Sequence, residues 1–383
     1  MPKLRHVAAA LGFALLVAGC ASSSDTANTP DKGDAAAAAG AVDVGLKPGE
    51  KLKAAFVYIG PIGDAGWTHQ HDKGAKHLGS TMAGQVEVSV VENVPEDASA
   101  SRVFEDLYRK GNRLIFGTSF GYADPMLEVA AAHPDLVLMH ATGYKTAKNM
   151  GTYFGAAEEA RYLSGIAAGK ASASGKIGYV AAFPIPEVIR GINAFALGAQ
   201  SVNPQATVTV EWTSTWFDPD KERTAAEKLL DGGADVLSQH QDTPAAGEAA
   251  ERRGAKWIGY NDDMARFAPK AWLTAPVWNW GPFYAETAKS VIDRSWRSEQ
   301  HYGSMADGMV DLAPLSPLVD PAAKAAIEQA KERLVAGSLK PFTGPIKDQA
   351  GVVRIAQGAP APLEDLLKMD WFVYGVQGSP KTS

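Results

Sequence analysis

From Lys53 onward, short apolar and β-branched runs alternate with stretches whose apolar residues recur every three or four positions. The runs "AAFVYI" (54–59), "VEVSVV" (86–91), "RLIFGTS" (113–119) and "LVLMH" (136–140) read as buried strands. Between them, "WTHQHDKGAKHLGSTM", "SASRVFEDLYRK" and "PMLEVAAAH" carry helical spacing. Apolar strands separated by helices imply a parallel sheet covered on both faces. A further helix, "EEARYLSGIAAGKAS", spaces its small residues for close packing against a sheet, and "GKIGYVAAF" (175–183) follows. The alternation then restarts through "EVIRGINAFALGAQS", "TVTVEW", "KERTAAEKLLDGG", "DVLSQH", "AAGEAAERR", "KWIGYN" and "WLTAPVW". That predicts a second doubly wound α/β lobe. "PFYAETAKSVIDRSW" (282–296) is a helix, "MVDLAPL" (309–315) a late strand, and "PAAKAAIEQAKERLVAG" a helix stopped by Gly337. "PFTGPIKDQAGVVRIA" reads as a turn-rich hairpin.

The N-terminus follows a different pattern. Lys3, Arg5 and His6 precede an apolar stretch from Val7 to Val17, too short for a membrane-spanning helix. It ends in "LVAGC", which resembles the bacterial lipobox, with Cys20 as the acylated residue. Cys20 is the sole cysteine, so cleavage there leaves no thiol for a disulfide or a nucleophile. One lipid anchor attaches a chain to a membrane without spanning it. Ala21 and Ser22 follow, and nothing marks inner-membrane retention. Residues 20–49, rich in Ser, Ala, Gly and Asp, are assigned to a flexible tether.

Composition narrows the function classes. A formal net charge of -6 and a pI near 5.8 provide no basic surface for nucleic acid. There is no G-x-S-x-G, P-loop or H-E-x-x-H, and "GPIGDAG" is not a dinucleotide fingerprint. No enzyme activity and no cofactor are expected. His69 and His71 suggest a metal clip, but two helical positions apart is about 200° around the axis, so the rings diverge. No metal site is expected.

In two open α/β lobes the ligand crevice lies outside the carboxyl ends of the strands. The loops there carry Asp64 and Trp67; Ser119, Phe120 and Tyr122; Phe183 and Glu187; and Trp216, Phe217 and Asp218. They also carry Gln241 and Asp242; Asn261 and Asp262; and Trp278, Asn279 and Trp280. Every loop supplies an aromatic, an amide or a carboxylate, which suits a flat, hydrogen-bonding ligand. Single residues remain ambiguous. Asp64 either caps the following helix or accepts ligand N–H groups, and Glu187 has the same two options. Trp67 is either core or a stacking plate. Asn261 either completes a solvated turn or reaches the ligand. Trp212, Trp257 and Trp272 lie within strands and are expected in the core.

Together, "FVYIGPIGDAGWTHQHDKGAK", "YFGAAEEARYLSGIAAG", "GKIGYVAAFPIPEVIRGINAFALGAQSVNP", "WFDPDKERTAA", "GADVLSQHQDTPAAGEAAE", "GYNDDM", "LTAPVWNWGPFY" and "FTGPIKDQAG" resemble the BMP (basic membrane protein, PnrA-like) family of ABC-importer lipoproteins. The resemblance covers roughly residues 50–378. It implies a type-I periplasmic-binding-protein fold: two parallel-sheet lobes, joined by three crossovers, that close on a purine nucleoside or base. The expected division is residues 1–19 as signal peptide, 50–175 plus about 278–303 as lobe 1, and 176–277 plus about 304–383 as lobe 2 with a C-terminal hairpin. It further implies an extracytoplasmic receptor, expected to be monomeric, working with a membrane permease.

By position in the family motifs, Asp64 and Trp67 match the acidic–aromatic pair after the first strand. Phe120 lies in the loop after the third strand, and Trp216 or Phe217 matches the aromatic before "DP". One departure stands out. Asn261 occupies the place of the Asp in "GVD", and Trp278–Asn279 appear where a Lys is associated with ribose. That exchange suggests a free base such as adenine rather than a nucleoside. Alternatives are a same-fold receptor for a sugar, a sensor for a signalling partner, and a lipid-anchored nucleoside hydrolase-like enzyme.

Overall fold

A computed structural model describes residues 40–381. The expected signal peptide, Cys20 and the first part of the expected tether lie outside the described residues. The chain begins its first sheet with β1 (Leu52–Val57), then α1 (Trp67–Thr81), β2 (Val86–Val91), α2 (Ala100–Arg109) and β3 (Leu114–Gly117). α3 (Ala123–Ala132), β4 (Val137–Ala141) and β5 (Met150–Gly155) follow. α4 (Ala157–Ala171) carries the chain to β6 (Lys176–Ala181), α5 (Pro186–Val202), β7 (Thr207–Trp212) and α6 (Pro219–Asp231). β8 (Val236–His240), α7 (Ala245–Arg252), β9 (Lys256–Ile258) and β10 (Trp272–Thr274) complete that run. β11 (Pro276–Trp278) and α8 (Trp280–Ile292) lead back to β12 (Gln300–Gly303). The C-terminal part holds β13 (Val310–Leu312), α9 (Pro321–Val335), the hairpin β14 (Ile346–Lys347) and β15 (Val353–Ile355), and β16 (Val376–Gln377).

Two six-stranded sheets result, ordered β12-β5-β4-β3-β1-β2 and β10-β9-β8-β6-β7-β16. Every pairing within them is parallel. The chain passes between the sheets three times: through α4, through α8, and through the segment from β12 to β16. This is the two-lobed α/β architecture that the alternation predicts. In the first lobe Phe56 stacks on Phe116 at 4.6 Å, and Tyr284 of α8 closes over both.

Several local expectations are corrected. α4 touches β8, β9 and β10 of the second sheet, but its glycines meet α5. A Cβ on Gly165 would lie 2.1 Å from the Phe195 carbonyl oxygen, and one on Gly198 would lie 2.0 Å from that of Tyr162. The two helix backbones touch because neither glycine has a side chain to hold them apart. β2 is an edge strand paired only with β1, and Val86 is its one buried residue. "WLTAPVW" is two strands: Pro276 has no N–H for a ladder, and β11 leaves the second sheet to pair antiparallel with β13. Trp257 and Trp272 are core as expected, whereas Trp212 is half-buried against Phe372. The folded body also begins inside the assigned tether. Val42 and Val44 are buried, and the Val42 amide donates to the Trp296 carbonyl at 3.2 Å.

Candidate functional site

The carboxyl ends of the two sheets supply opposite walls of one narrow cleft, with about 30 Å3 of free space between them. The first lobe contributes Ile59 after β1, Trp67 at the start of α1, Ser119 and Phe120 after β3, and Thr142 after β4. The second contributes Glu187 in the first turn of α5, Trp216 after β7, His240 ending β8, Asp242, and Tyr260 after β9.

Two tryptophans from opposite lobes face this space, each held by its indole N–H. Trp67 donates to the Thr118 carbonyl at 2.6 Å and meets His71 edge-on at 4.3 Å. Trp216 donates to Glu96 Oε2 at 3.1 Å and packs edge-on with Phe183 at 5.0 Å. Glu96 belongs to the first lobe, where its Oε1 accepts from Ser119 Oγ and the Gly121 amide, both at 2.6 Å. One carboxylate therefore ties the second-lobe tryptophan to the first-lobe rim.

Asp64 is buried, and its carboxylate accepts from the amides of Gly66 (2.8 Å), Thr68 (2.8 Å) and His69 (2.9 Å). These are otherwise unpaired donors at the start of α1, so the cap option is the one realised. Its oxygens serve the helix, and it does not line the cleft. Burial raises its pKa while the amides oppose the rise.

Asp242 supplies the cleft carboxylate instead. It is fully buried, and burial first, then the neighbouring Asp64 and Glu222 charges, push its pKa well up; the Trp67 amide pulls the other way. Asn261 Nδ2 donates to Asp242 Oδ1 at 3.1 Å, and Asn261 Oδ1 accepts from Trp278 Nε1 at 2.8 Å. An indole N–H can only donate, which fixes the orientation of the Asn261 amide. Asn261 lies at φ 70°, a left-handed conformation that Asn tolerates better than most residues.

In the second-lobe wall of the cleft, His240 Nε2 lies 3.2 Å from Glu187 Oε1. Burial, with a further push from Arg161, lowers the His240 pKa to about 4 against the pull of Glu187. The ring is neutral at pH 7. The Arg161 guanidinium sits 3.7 Å from the Tyr260 ring centroid.

The family model for PnrA-like substrate-binding proteins of ABC transporters (Bmp) matches residues 51–338. The chain belongs to the Bmp family. A purine-binding protein of Brucella abortus is 47% identical over 327 residues, covering 85% of this chain and 93% of the relative. A putative ABC transporter glucose-binding protein of Haloferax volcanii is 44% identical over 301 residues, covering 78% and 76%. A crystal structure of an ABC transporter solute-binding protein from Aeropyrum pernix K1 superposes with a TM-score of 0.66 at 18% identity, covering 82% of this chain and 97% of that one. At that identity the likeness bears on the fold alone. Bmp proteins are solute receptors and not enzymes: they act outside the cytoplasm with a small molecule and a membrane permease. No described helix is long and apolar enough to cross a membrane.

In this Bmp protein the cleft brings together Trp67, Ser119, Phe120, Glu187, Trp216 and Asp242 of the residues expected from sequence. Asp64, Phe183, Gln241, Asn261 and Trp278 stand one layer back: Gln241 Nε2, for instance, donates to Thr213 Oγ1 at 2.6 Å. Phe217 and Asn279 are corrections. Phe217 is 40% exposed, and exposed Asn279 donates to the Gly308 carbonyl. Phe217 follows the cleft residue Trp216 and Asn279 follows Trp278, but neither lines the cleft. Tyr122 is core, its hydroxyl bonded to the Val94 carbonyl, and Asp218 caps α6. Asp262 meets His69 and Lys73 of α1 across the lobes, while His71 is buried against Trp280 and Tyr284. Among the described residues no cluster of His, Cys, Asp or Glu could hold a metal. Ile59, Thr142, His240 and Tyr260 are cleft residues that were not anticipated. Three of them extend strand ends already in view, and Thr142 follows "LVLMH", whose loop was not considered.

Proposed function

We propose that the ligand is a purine, and a free base such as adenine in preference to a nucleoside. The observation that carries this is the electrostatic character of the cleft. Its ionisable acceptors are Asp242 and Glu187, and no Lys or Arg lines it. Such walls select a neutral or cationic molecule with N–H donors and disfavour phosphorylated or carboxylated solutes. Trp67 and Trp216 offer flat apolar faces, while Ser119 and Thr142 add hydroxyls. The Asn261–Trp278 pair bonds internally and to Asp242, and so has little left for ribose hydroxyls. The Brucella relative, named for purine binding, supports the same class.

A nucleoside is favoured by one feature. A second space of about 320 Å3 adjoins the cleft at Phe120, Thr142 and Glu187 and could take a ribose. The name of the Haloferax relative keeps a sugar in view. Calorimetric titration with adenine, adenosine, inosine and glucose decides among the three. Adenosine binding much more tightly than adenine overturns the free-base assignment, and glucose alone overturns the purine one. Mass spectrometry of the co-purified small molecule is an independent check.

We also propose that the protein is a monomeric lipoprotein anchored through Cys20. Cys20→Ser should release it from the membrane fraction, and unchanged fractionation counts against the anchor.

A further inference from the structure

Arg161 on α4 is fully buried, yet no carboxylate lies within ion-pair distance of it among the described residues. Its Nη1 donates to the Gln239 carbonyl at 2.9 Å, while Nε and Nη2 find no protein partner. His240 Nδ1, also buried, finds none either. Both orphan nitrogens converge on one point above Gly191 of α5. A Cβ placed there would lie 3.6 Å from Arg161 Nε and 3.7 Å from His240 Nδ1. Buried donors and acceptors left without partners are costly, and a polar niche with two or more partners is where proteins hold an ordered water.

We propose that Gly191 keeps open a one-water niche whose water links Arg161 to His240, and that this relay positions Glu187 as a hydrogen-bond acceptor in the cleft. The polarity runs one way. Arg161 Nε–H donates to the water, and the water donates to His240 Nδ1. The neutral ring then carries its proton on Nε2 and donates to Glu187 Oε1, 3.2 Å away. Glu187 is thereby held in place with its remaining lone pairs turned to the ligand. Gly191, Arg161 and His240 are thus positioning residues for ligand selection. This role for the ligand rests on the purine reading; the relay itself does not.

The test uses Gly191→Ala and Gly191→Ser. A Cβ at Gly191 makes only ordinary van der Waals contacts, and glycine inside a helix is disfavoured, so both variants should fold, with the Ala variant, which leaves the two nitrogens unpaired, melting below the Ser variant. Alanine fills the niche with a methyl group; serine returns a hydroxyl able to accept from Arg161 and donate to His240. Calorimetry with adenine should show Gly191→Ala weakened by roughly three- to tenfold, the equivalent of one net hydrogen bond, and Gly191→Ser restored to within about twofold. In the ligand-free protein, long-range 15N–1H spectra of the imidazoles, with His240 assigned by its loss in His240→Gln, should show the Nε2–H tautomer in parent and Ser variant and lose it in the Ala variant. Equal affinities in all three, equal weakening of both variants, or a tautomer indifferent to Gly191→Ala each overturns the relay. A parent that does not bind adenine but shows the tautomer switch rejects the purine reading and leaves the relay standing.

Discussion

Asn261→Asp is the sharpest test of how the cleft carboxylate is managed. In the parent, Asn261 Nδ2 donates to Asp242 Oδ1 at 3.1 Å, and both residues are buried. The variant replaces that donor with an acceptor, so two carboxylates face one another. If both stay ionised, two like charges about 4 Å apart repel by about 4 kcal/mol at an effective dielectric of 20. If one takes a proton instead, holding it neutral at pH 7 against an ordinary Asp pKa near 3.9 costs about 4 kcal/mol. The two routes agree, and the penalty is a large share of a typical folding free energy of about 5–15 kcal/mol. The sign follows from linkage. The folded pair has a raised pKa and binds more protons than the unfolded chain, so stability falls as pH rises from the ordinary Asp value towards the folded one. Urea unfolding at pH 5 and pH 8 should therefore show a deficit of about 1.5 kcal/mol at the lower pH, growing to about 4 kcal/mol at the higher. Adenine binding should weaken alongside it. A variant as stable as the parent at both pH values would falsify the account of Asn261 as the donor that makes a buried Asp242 tolerable.

Trp67→Ala removes a cleft wall and should cost about 2–4 kcal/mol of binding, whereas Phe217→Ala, at an outward-facing ring, should leave affinity within about twofold; calorimetry that ranks them the other way refutes the wall assignment. Asp64→Ala should lower stability by about 1–2 kcal/mol through loss of the α1 cap, with weaker binding because α1 carries Trp67; intact melting would show that the cap is dispensable. Gly198→Ala, whose Cβ would overlap the Tyr162 carbonyl at 2.0 Å, should destabilise by about 3 kcal/mol or more by forcing α4 and α5 apart. An unchanged melting temperature contradicts that backbone contact. Glu222, buried beside Thr243, has its pKa pushed up to about 7 by burial, so its contribution is full below the ordinary Glu value and is lost as pH rises through 7. Glu222→Gln should accordingly gain on the parent between pH 5 and pH 8, by up to about 3 kcal/mol, and a pH-independent difference argues against the shift.

The legible part of the fold was the part that periodicity controls. Long helices and fully buried central strands declare themselves, since each side chain's environment repeats with the element's own period. What stayed hidden was set by partners distant in sequence. "MGTYFG" became β5 although its two glycines weaken it as a strand, because β4 and β12 flank it. "QHYG" and the two-residue β16 are strands only by virtue of the neighbours they pair with. The site divides in the same way. Strand-end positions located Trp67, Trp216, Glu187 and Asp242, since any α/β lobe exposes its strand ends there. Spacing could not tell whether a side chain turned into the cleft, hence Phe217 and Asn279. Nor could it separate Asp64 as a cap from Asp64 as a lip: the two uses need the same residue at the same place and differ only in which N–H groups reach it.

The lobes meet at contacts that distribute the work of closure unequally. Glu96 holds Trp216, and Asp262 meets His69 and Lys73 at 3.4 Å and 3.3 Å, with Lys73 half-exposed. Half-exposed ion pairs of that kind contribute about 0–1 kcal/mol each, so they align the lobes more than they bind them. Asp242 opposes closure. With the lobes together it is fully buried near Asp64, whose own oxygens are occupied by the α1 amides, and its donors are the Asn261 side chain and the Trp67 amide. Burying a carboxylate with too few donors is unfavourable, and separating the lobes would return it to water. A ligand presenting N–H groups to Asp242 and Glu187 supplies the missing donors only in the closed arrangement. Its differential affinity for that arrangement is what shifts the population, about 5.5 kcal/mol being enough to carry it from 1:99 to 99:1. Asp242→Asn, which keeps the shape and removes the charge, should therefore close more readily without ligand while binding adenine more weakly. Small-angle scattering of the ligand-free variant should give a smaller radius of gyration than the parent. A radius equal to or larger than the parent's would refute Asp242 as the group that holds the empty receptor open.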